Sequence, residues 1–175
     1  PNGYHVLEVD STDVSVRFKA AGKPADFQMR IMYDVMHHQQ RKDAIRDSLH
    51  GTTLDGFMSE DEVAAASILV NLFDGGPKSK VSYRVNDGDY IPMERVLRTD
   101  PYIVEQFQRY ESVKKSWVQA TDSTHIFSAD LDDSISRGTH TVTVRAIDEF
   151  GRVHHGHSIL EITGGMIGTE AGVKY

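Results

Sequence analysis

Hydrophobic and polar residues alternate along the first twenty residues in two segments separated by a polar turn. The segments are YHVLEVD and DVSVRFKA, and the turn covers residues 10–13. Successive side chains of a strand point to opposite faces, so Val14, Val16 and Phe18 share one face, whereas Arg17 and Lys19 share the other. The pattern predicts a β-hairpin with one packed face and one face in water.

Seven further segments have the length and pattern of strands. They occupy residues 27–33, 67–73, 80–85, 90–96, 125–131, 138–147 and 154–163, so eight or nine short strands are expected in all. The segment SILVNLF is almost continuously apolar, as is typical of a strand covered on both faces. The sequence NDGD favours a tight hairpin turn, and Pro92 favours an edge position because proline cannot donate to a ladder. Residues 34–56 show a weaker pattern, for which a short helix at 41–49 and an irregular excursion are both considered.

Two helix starts are marked by side chains that accept hydrogen bonds from free backbone amides. The sequence DPYIVEQFQRYES opens with a capping aspartate and a proline suited to the first helical position. Its apolar residues Ile103, Phe107 and Tyr110 recur on one face. Ser59 and Glu62 have the spacing of a capping box, which predicts a second, short helix.

Short strands, frequent turns and the lack of a repeating strand–helix unit define the predicted fold class. We expect a mainly β protein, an immunoglobulin-like antiparallel β-sandwich with a short helical insertion. A β-barrel is the alternative. The domain is predicted to span residues 1–163, with a flexible tail at 164–175. A boundary near residue 22 is also considered, in which the hairpin of residues 1–22 belongs with a preceding domain.

Composition and charge restrict the partners. The 175 residues carry 26 acidic and 19 basic side chains, a formal net charge of −7, which is the wrong sign for binding nucleic acid. The longest apolar run, residues 64–73, is about half the length needed to span a bilayer. There is no cysteine, so disulfides and thiolate metal sites are excluded. The chain opens at Pro1 without a leader, so we expect a fragment of a longer protein with any export signal upstream.

Histidines near the last predicted turn raise the question of a metal site. His155 and His157 point the same way on a strand and could together approach a zinc or iron ion, whereas His154 points the other way. The spacing fixes no third ligand. His37 and His38 also lack a complete ligand set. We therefore favour exposed strand histidines, and a metal-dependent enzyme that uses them is the weakest alternative.

Aromatic residues in and after the predicted helix form a candidate interface. They are Tyr102, Phe107, Tyr110 and Trp117. Such a group can bind a sugar, a peptide or a neighbouring domain. The simpler interpretation is that these rings cover the open end of the sandwich.

No well-specified catalytic motif is present. The sequence has no Gly-x-Ser-x-Gly elbow, no phosphate-binding Gly-x-x-x-x-Gly-Lys-Ser/Thr loop and no His-Glu-x-x-His pair. The acidic groups at residues 60–62 and 132–133 lie at a helix start and a turn, where free amides favour carboxylates. The residues themselves therefore predict no catalytic site.

Three stretches of the chain resemble a known family. Residues 1–31, 68–96 and 138–152 are similar to the C-terminal domain of bacterial calcineurin-like phosphoesterases, whereas residues 34–56 match it loosely. The family's catalytic motifs are Asp-x-His, Gly-Asp-x-x-Asp, Gly-Asn-His and Gly-His-x-His. Gly88-Asp89 lacks the second aspartate and Gly156-His157 lacks the second histidine, so no catalytic, cofactor-binding or metal-binding residue carries over.

The resemblance implies a non-catalytic accessory domain. Its partner would be a phosphoesterase domain of the same polypeptide, which holds two divalent metal ions that activate water. The parent protein would be a hydrolase that is periplasmic or extracellular in a bacterium. An independent carbohydrate- or cell-surface-binding module is the alternative function.

Overall fold

The computed structural model describes residues 3–35 and 52–164. It contains eleven strands and two short helices within these ranges. In chain order they are β1 (Gly3–Asp10), β2 (Asp13–Ala20), β3 (Met29–Asp34), β4 (Thr52–Thr53), β5 (Phe57–Ser59), α1 (Glu60–Val63), β6 (Ser67–Leu72), β7 (Lys80–Val85), β8 (Ile91–Thr99), α2 (Pro101–Arg109), β9 (Asp122–Asp130), β10 (Gly138–Ile147) and β11 (Val153–Thr163).

Nine of the strands form a sandwich, and β1 and β2 form a separate hairpin. The sandwich strands follow the order β4-β3-β6-β9-β8-β7-β10-β11-β5. Strand β8 belongs to both layers, because its first residues pair with β7 and its later residues with β9. Every pairing is antiparallel except that of β5 with β11. This arrangement confirms the predicted immunoglobulin-like sandwich, and β4 and β5, at the two ends of the described order, do not close it into a barrel.

The core lies between the two layers. Its fully buried side chains include Ile68 and Val70 from one layer and Tyr83, Val142 and Leu160 from the other. Alternate residues of each strand face inward, as expected for stacked sheets. The Tyr83 hydroxyl donates to the Asp130 carbonyl at 2.6 Å, which satisfies the polar end of this large buried ring.

Strand β6 is buried along its whole length, and two separate clusters explain why. Ile68 and Val70 face the main core. Leu69 faces the other way and packs with Met32 and Ile126 in a smaller cluster that Tyr102 of α2 partly covers. The continuous apolar run in the sequence therefore reflects burial on both faces, as predicted.

Both predicted helix starts are confirmed. Asp100 accepts a hydrogen bond from the Tyr102 amide at 2.9 Å and caps α2, which begins at Pro101. The Glu62 carboxylate accepts from the Ser59 amide at 2.7 Å and from the Ser59 hydroxyl at 2.8 Å, at the start of α1. These contacts satisfy amides that a helix leaves unpaired.

The structure differs from the sequence prediction in two short strands. The pattern predicts eight or nine strands, and β4 and β5, of two and three residues, are not among them. Segments this short carry no periodicity, and β5 forms because β11 offers it a partner. Pro92 lies in the part of β8 at the edge of its layer, as predicted. The helix considered at 41–49 and the predicted tail beyond Gly164 fall outside the described residues.

Candidate functional site

The histidines at the start of β11 are divided between the two faces of the strand. His154 Nε2 lies 3.1 Å from Asp148 Oδ2. His157 Nδ1 lies 3.3 Å from the Thr143 hydroxyl, and His155 is exposed. The alternation expected from the sequence separates His154 from the other two.

The described side chains around the β11 histidines do not form a ligand set for a divalent ion. Within residues 3–35 and 52–164, no three His, Asp or Glu side chains are grouped so that they could hold a metal ion. His155 lies opposite Arg145 in the ladder, and a guanidinium repels a cation. His37 and His38 lie outside the described residues.

Burial separates the four aromatic residues of the candidate interface. Tyr102 is half-buried, and the guanidinium carbon of Arg30 lies 3.5 Å from the centre of its ring, a stacked cation–π contact. Phe107 is half-buried and lines a cleft beside α2. Tyr110 is 55% exposed and Trp117 is 79% exposed. Tyr110 and Trp117 are therefore exposed, whereas Tyr102 packs within the fold.

A buried carboxylate holds α2 on the sandwich. Asp100 is 3% exposed, and its Oδ2 accepts from Asn71 at 2.5 Å and lies 3.4 Å from Arg30 Nη1. Its Oδ1 caps the helix through the Tyr102 amide. Burial lowers the pKa of Arg30, and the charge of Asp100 opposes that shift. Both carboxylate oxygens are engaged, so the cluster positions elements of the fold.

The acidic groups near residues 60 and 132 serve local structure. Asp132 Oδ1 accepts from the Ser134 amide at 2.8 Å, and hydrogen bonds from Ser134 hold the pKa of Asp132 below its usual range. Glu62 belongs to the capping box of α1. Both observations agree with the interpretation from the sequence.

A cleft of about 340 Å³ separates the β1–β2 hairpin from the β10–β11 turn. At its side, Arg152 Nε donates to Asp148 Oδ2 at 2.7 Å, and another nitrogen of the same guanidinium donates to the Val16 carbonyl. Burial opposes ionisation of Asp148, but hydrogen bonds from Arg152, His154 and nearby amides outweigh it and lower its pKa. This cluster fastens the hairpin to the sandwich.

The attachment of the hairpin to the sandwich through Arg152 was not predicted from the sequence. The sequence pattern identified the turn at residues 148–151 but assigned no role to Arg152. The sequence contains one local indication of it: Asp148 opens a turn, and Arg152 follows four positions later, which is the spacing of the observed ion pair. The contact with Val16 spans 136 positions, and no local pattern records it.

These observations define the class of protein, an immunoglobulin-like β-sandwich domain whose buried charges hold its elements together. The family model described as C terminal of Calcineurin-like phosphoesterase matches residues 1–154. The chain belongs to this family, which confirms the resemblance found in the sequence. Searches of curated proteins and of solved structures give no match. The family match ends inside β11, which the structure continues to Thr163.

Proposed function

We propose that this chain is the non-catalytic C-terminal accessory domain of a metal-dependent phosphoric-ester hydrolase. It supports the catalytic domain by packing against it and helps to shape substrate access. The observation that carries the proposal is the family match over residues 1–154 in a sequence without any of the family's metal-binding motifs. Two divalent ions bound in the catalytic domain would supply the activated water. We further propose that the parent protein is bacterial and exported.

The state of the polar groups supports a structural role. Asp100 holds Arg30 and Asn71, and Asp148 holds Arg152. Carboxylates engaged in this way have few lone pairs left for a metal ion or a proton transfer. The net charge of −7 disfavours nucleic acid as a partner. No helix among residues 3–35 and 52–164 is long and apolar enough to cross a membrane.

A hydrolysis assay tests the non-catalytic assignment. The 175-residue chain, purified without a histidine tag, is incubated with p-nitrophenyl phosphate and bis-p-nitrophenyl phosphate in Mn²⁺, Zn²⁺ or Mg²⁺. We expect no turnover above buffer, whereas the parent polypeptide turns over one of the esters and loses activity with a chelator. Metal-dependent turnover by the chain alone, or stoichiometric bound metal, would overturn the assignment.

Cleavage between the two domains tests the supporting role. A specific protease site is placed before Gly3 in the parent polypeptide, so that both domains fold before they are separated. We expect cleavage to lower the melting temperature or the activity of the catalytic domain. The matched control is the parent without the site, treated with the same protease. Unchanged stability and activity after physical separation would show that the domain gives no support.

The exposed aromatic residues favour one alternative, a module that binds carbohydrate or a cell surface. Trp117 is the single tryptophan and is 79% exposed, so its fluorescence reports any ligand that stacks on it. Titration with glycans and bacterial polysaccharides, repeated with Tyr110→Ser, tests the module. A saturable change that Tyr110→Ser weakens supports binding, and an unchanged spectrum counts against it.

A further inference from the structure

One face of the β1–β2 hairpin is a continuous apolar stripe. In the register of the hairpin, Val9 lies opposite Val14, and Leu7 lies opposite Val16. Paired residues of antiparallel strands project from the same face, so these four side chains are neighbours. An amphipathic sheet of this kind normally has its apolar face covered.

The half of this face nearest the sandwich is covered. The ring of Phe18 makes an edge contact with Phe73, with ring centres 5.9 Å apart, and Ala20 is 1% exposed. Gln28 donates to the Phe18 carbonyl at 2.8 Å, and Arg152 donates to the Val16 carbonyl. Side-chain and backbone contacts therefore fix the base of the hairpin on the sandwich.

The far half of the same face is open. Leu7 is 60% exposed, Val9 is 64% exposed and Val14 is 53% exposed. We call these three side chains the docking face. A two-stranded hairpin is marginally stable in water without a covering layer, and adjoining exposed aliphatic side chains mark an interaction site.

We propose that the docking face packs against the phosphoesterase domain that precedes this domain in the same polypeptide. This inference rests on the proposed function, which supplies the partner. The described part of the domain begins with the hairpin, so the docking face lies on the described element nearest in sequence to a catalytic domain that precedes it. The fixed base holds the face in one orientation, which a specific contact requires.

The small size of the docking face favours a tethered partner over a second copy. Stable interfaces between separate proteins bury about 1,200–2,000 Å², far more than three aliphatic side chains provide. A covalently linked domain is present at an effective concentration of about millimolar, so a small apolar contact is enough to dock it.

Hydrogen exchange measured by mass spectrometry tests the docking. Exchange of peptides covering residues 5–16 is compared between the parent polypeptide and the 175-residue chain. We expect slower exchange in the parent by about tenfold or more, because the docked face resists local opening. Peptides from β6 serve as the internal reference and are expected to exchange equally in both proteins.

A pair of substitutions tests whether the docking face causes the protection. Val9→Thr with Val14→Thr keeps the shape and strand propensity of both positions but adds hydroxyl groups. In the parent we expect the protection of residues 5–16 to fall about tenfold, and in the 175-residue chain we expect no change. Ile159→Thr, at a 54% exposed position of β11, is the matched control and is expected to leave the protection unchanged.

Several results would overturn the inference. Equal, fast exchange in both proteins would show that the hairpin does not dock. Protection of residues 5–16 that is as strong in the isolated 175-residue chain as in the parent would assign the face to another segment of the chain if sedimentation shows a monomer, or to a second copy if it shows a dimer. A parent without metal-dependent phosphoesterase activity would instead refute the proposed function, whatever the exchange of the hairpin.

Discussion

The guanidinium of Arg152 donates a hydrogen bond to the backbone carbonyl of Val16, which joins the last turn of the sandwich to the first hairpin. Arg152→Leu keeps much of the apolar packing and removes the donor. A hydrogen bond from a charged group contributes about 2 kcal/mol, so we expect hairpin amides near Val16 to exchange about thirtyfold faster in the 175-residue chain. Arg145→Leu, at an exposed position of β10, is the control. Unchanged exchange in Arg152→Leu would show that other contacts hold the hairpin.

The lowered pKa of Asp148 allows a prediction of how the contacts between Asp148 and Arg152 respond to acid. Its pKa is lower in the folded protein, so its contribution to stability is present above the unfolded-state value of about 4 and is lost as the pH falls below it. Asp148→Asn should lower stability at pH 7 and make the remaining stability less dependent on pH below 4. Urea unfolding between pH 2.5 and 7 measures both effects. Parallel pH profiles for the two proteins would contradict this role.

We predict that substitution of Asp100 lowers the stability of the protein strongly. Asp100→Ala removes the cap of α2 and leaves Arg30 and Asn71 without their buried partner, so we expect a loss of about 3 kcal/mol in the free energy of unfolding. Asp100→Asn keeps a good capping side chain and should cost less. Chemical denaturation measures both variants. An equal loss in the two would show that capping contributes little.

We predict that two buried tyrosines make the folded protein less stable at high pH. Burial raises the pKa of Tyr33 to about 12 and that of Tyr83 to about 12, whereas both titrate near 10 when unfolded. The contribution of these two tyrosines to stability is therefore fully present below pH 10 and falls as the pH rises toward 12, because the unfolded chain loses protons first. Tyr33 accounts for a loss on the order of 2 kcal/mol. Urea unfolding from pH 9 to 12 measures the slope.

Phenylalanine variants identify the tyrosines responsible for this slope. Tyr33→Phe and Tyr83→Phe should each flatten it, and Tyr83→Phe should also cost about 1 kcal/mol at pH 7, because it loses its hydrogen bond to Asp130. Val70→Ala, a buried change without a titrating group, should lower stability equally at every pH. A slope that persists in both phenylalanine variants would refute the assignment.

Local features of the fold were predictable from the sequence because their physical cause is local. The capping box at Ser59 and Glu62 and the cap at Asp100 depend on residues within a few positions of each other. The apolar run of β6 correctly predicted a strand buried on both faces. The family resemblance found in the sequence is confirmed by the family match.

Features that depend on distant partners were not predictable in this way. The contact between Asp100 and Arg30 spans 70 positions, and the pattern gave Asp100 only a capping role. The four aromatic residues were grouped by their nearness in sequence, but Arg30 stacks on Tyr102, whereas Trp117 remains exposed. Which side chains a partner can reach is decided by packing between elements, and the order of residues does not record it.

The parallel pairing of β5 with β11 has a consequence for the synthesis of the protein. The Thr163 hydroxyl donates to the Met58 carbonyl across 105 positions. Strand β5 therefore cannot pair with β11 until β11 has been synthesised. The ribosome releases these partners in order, and the second layer closes only after translation has passed Thr163. Until then the edge of β5 and the apolar residues that β11 covers are exposed, a condition that favours association between unfinished chains.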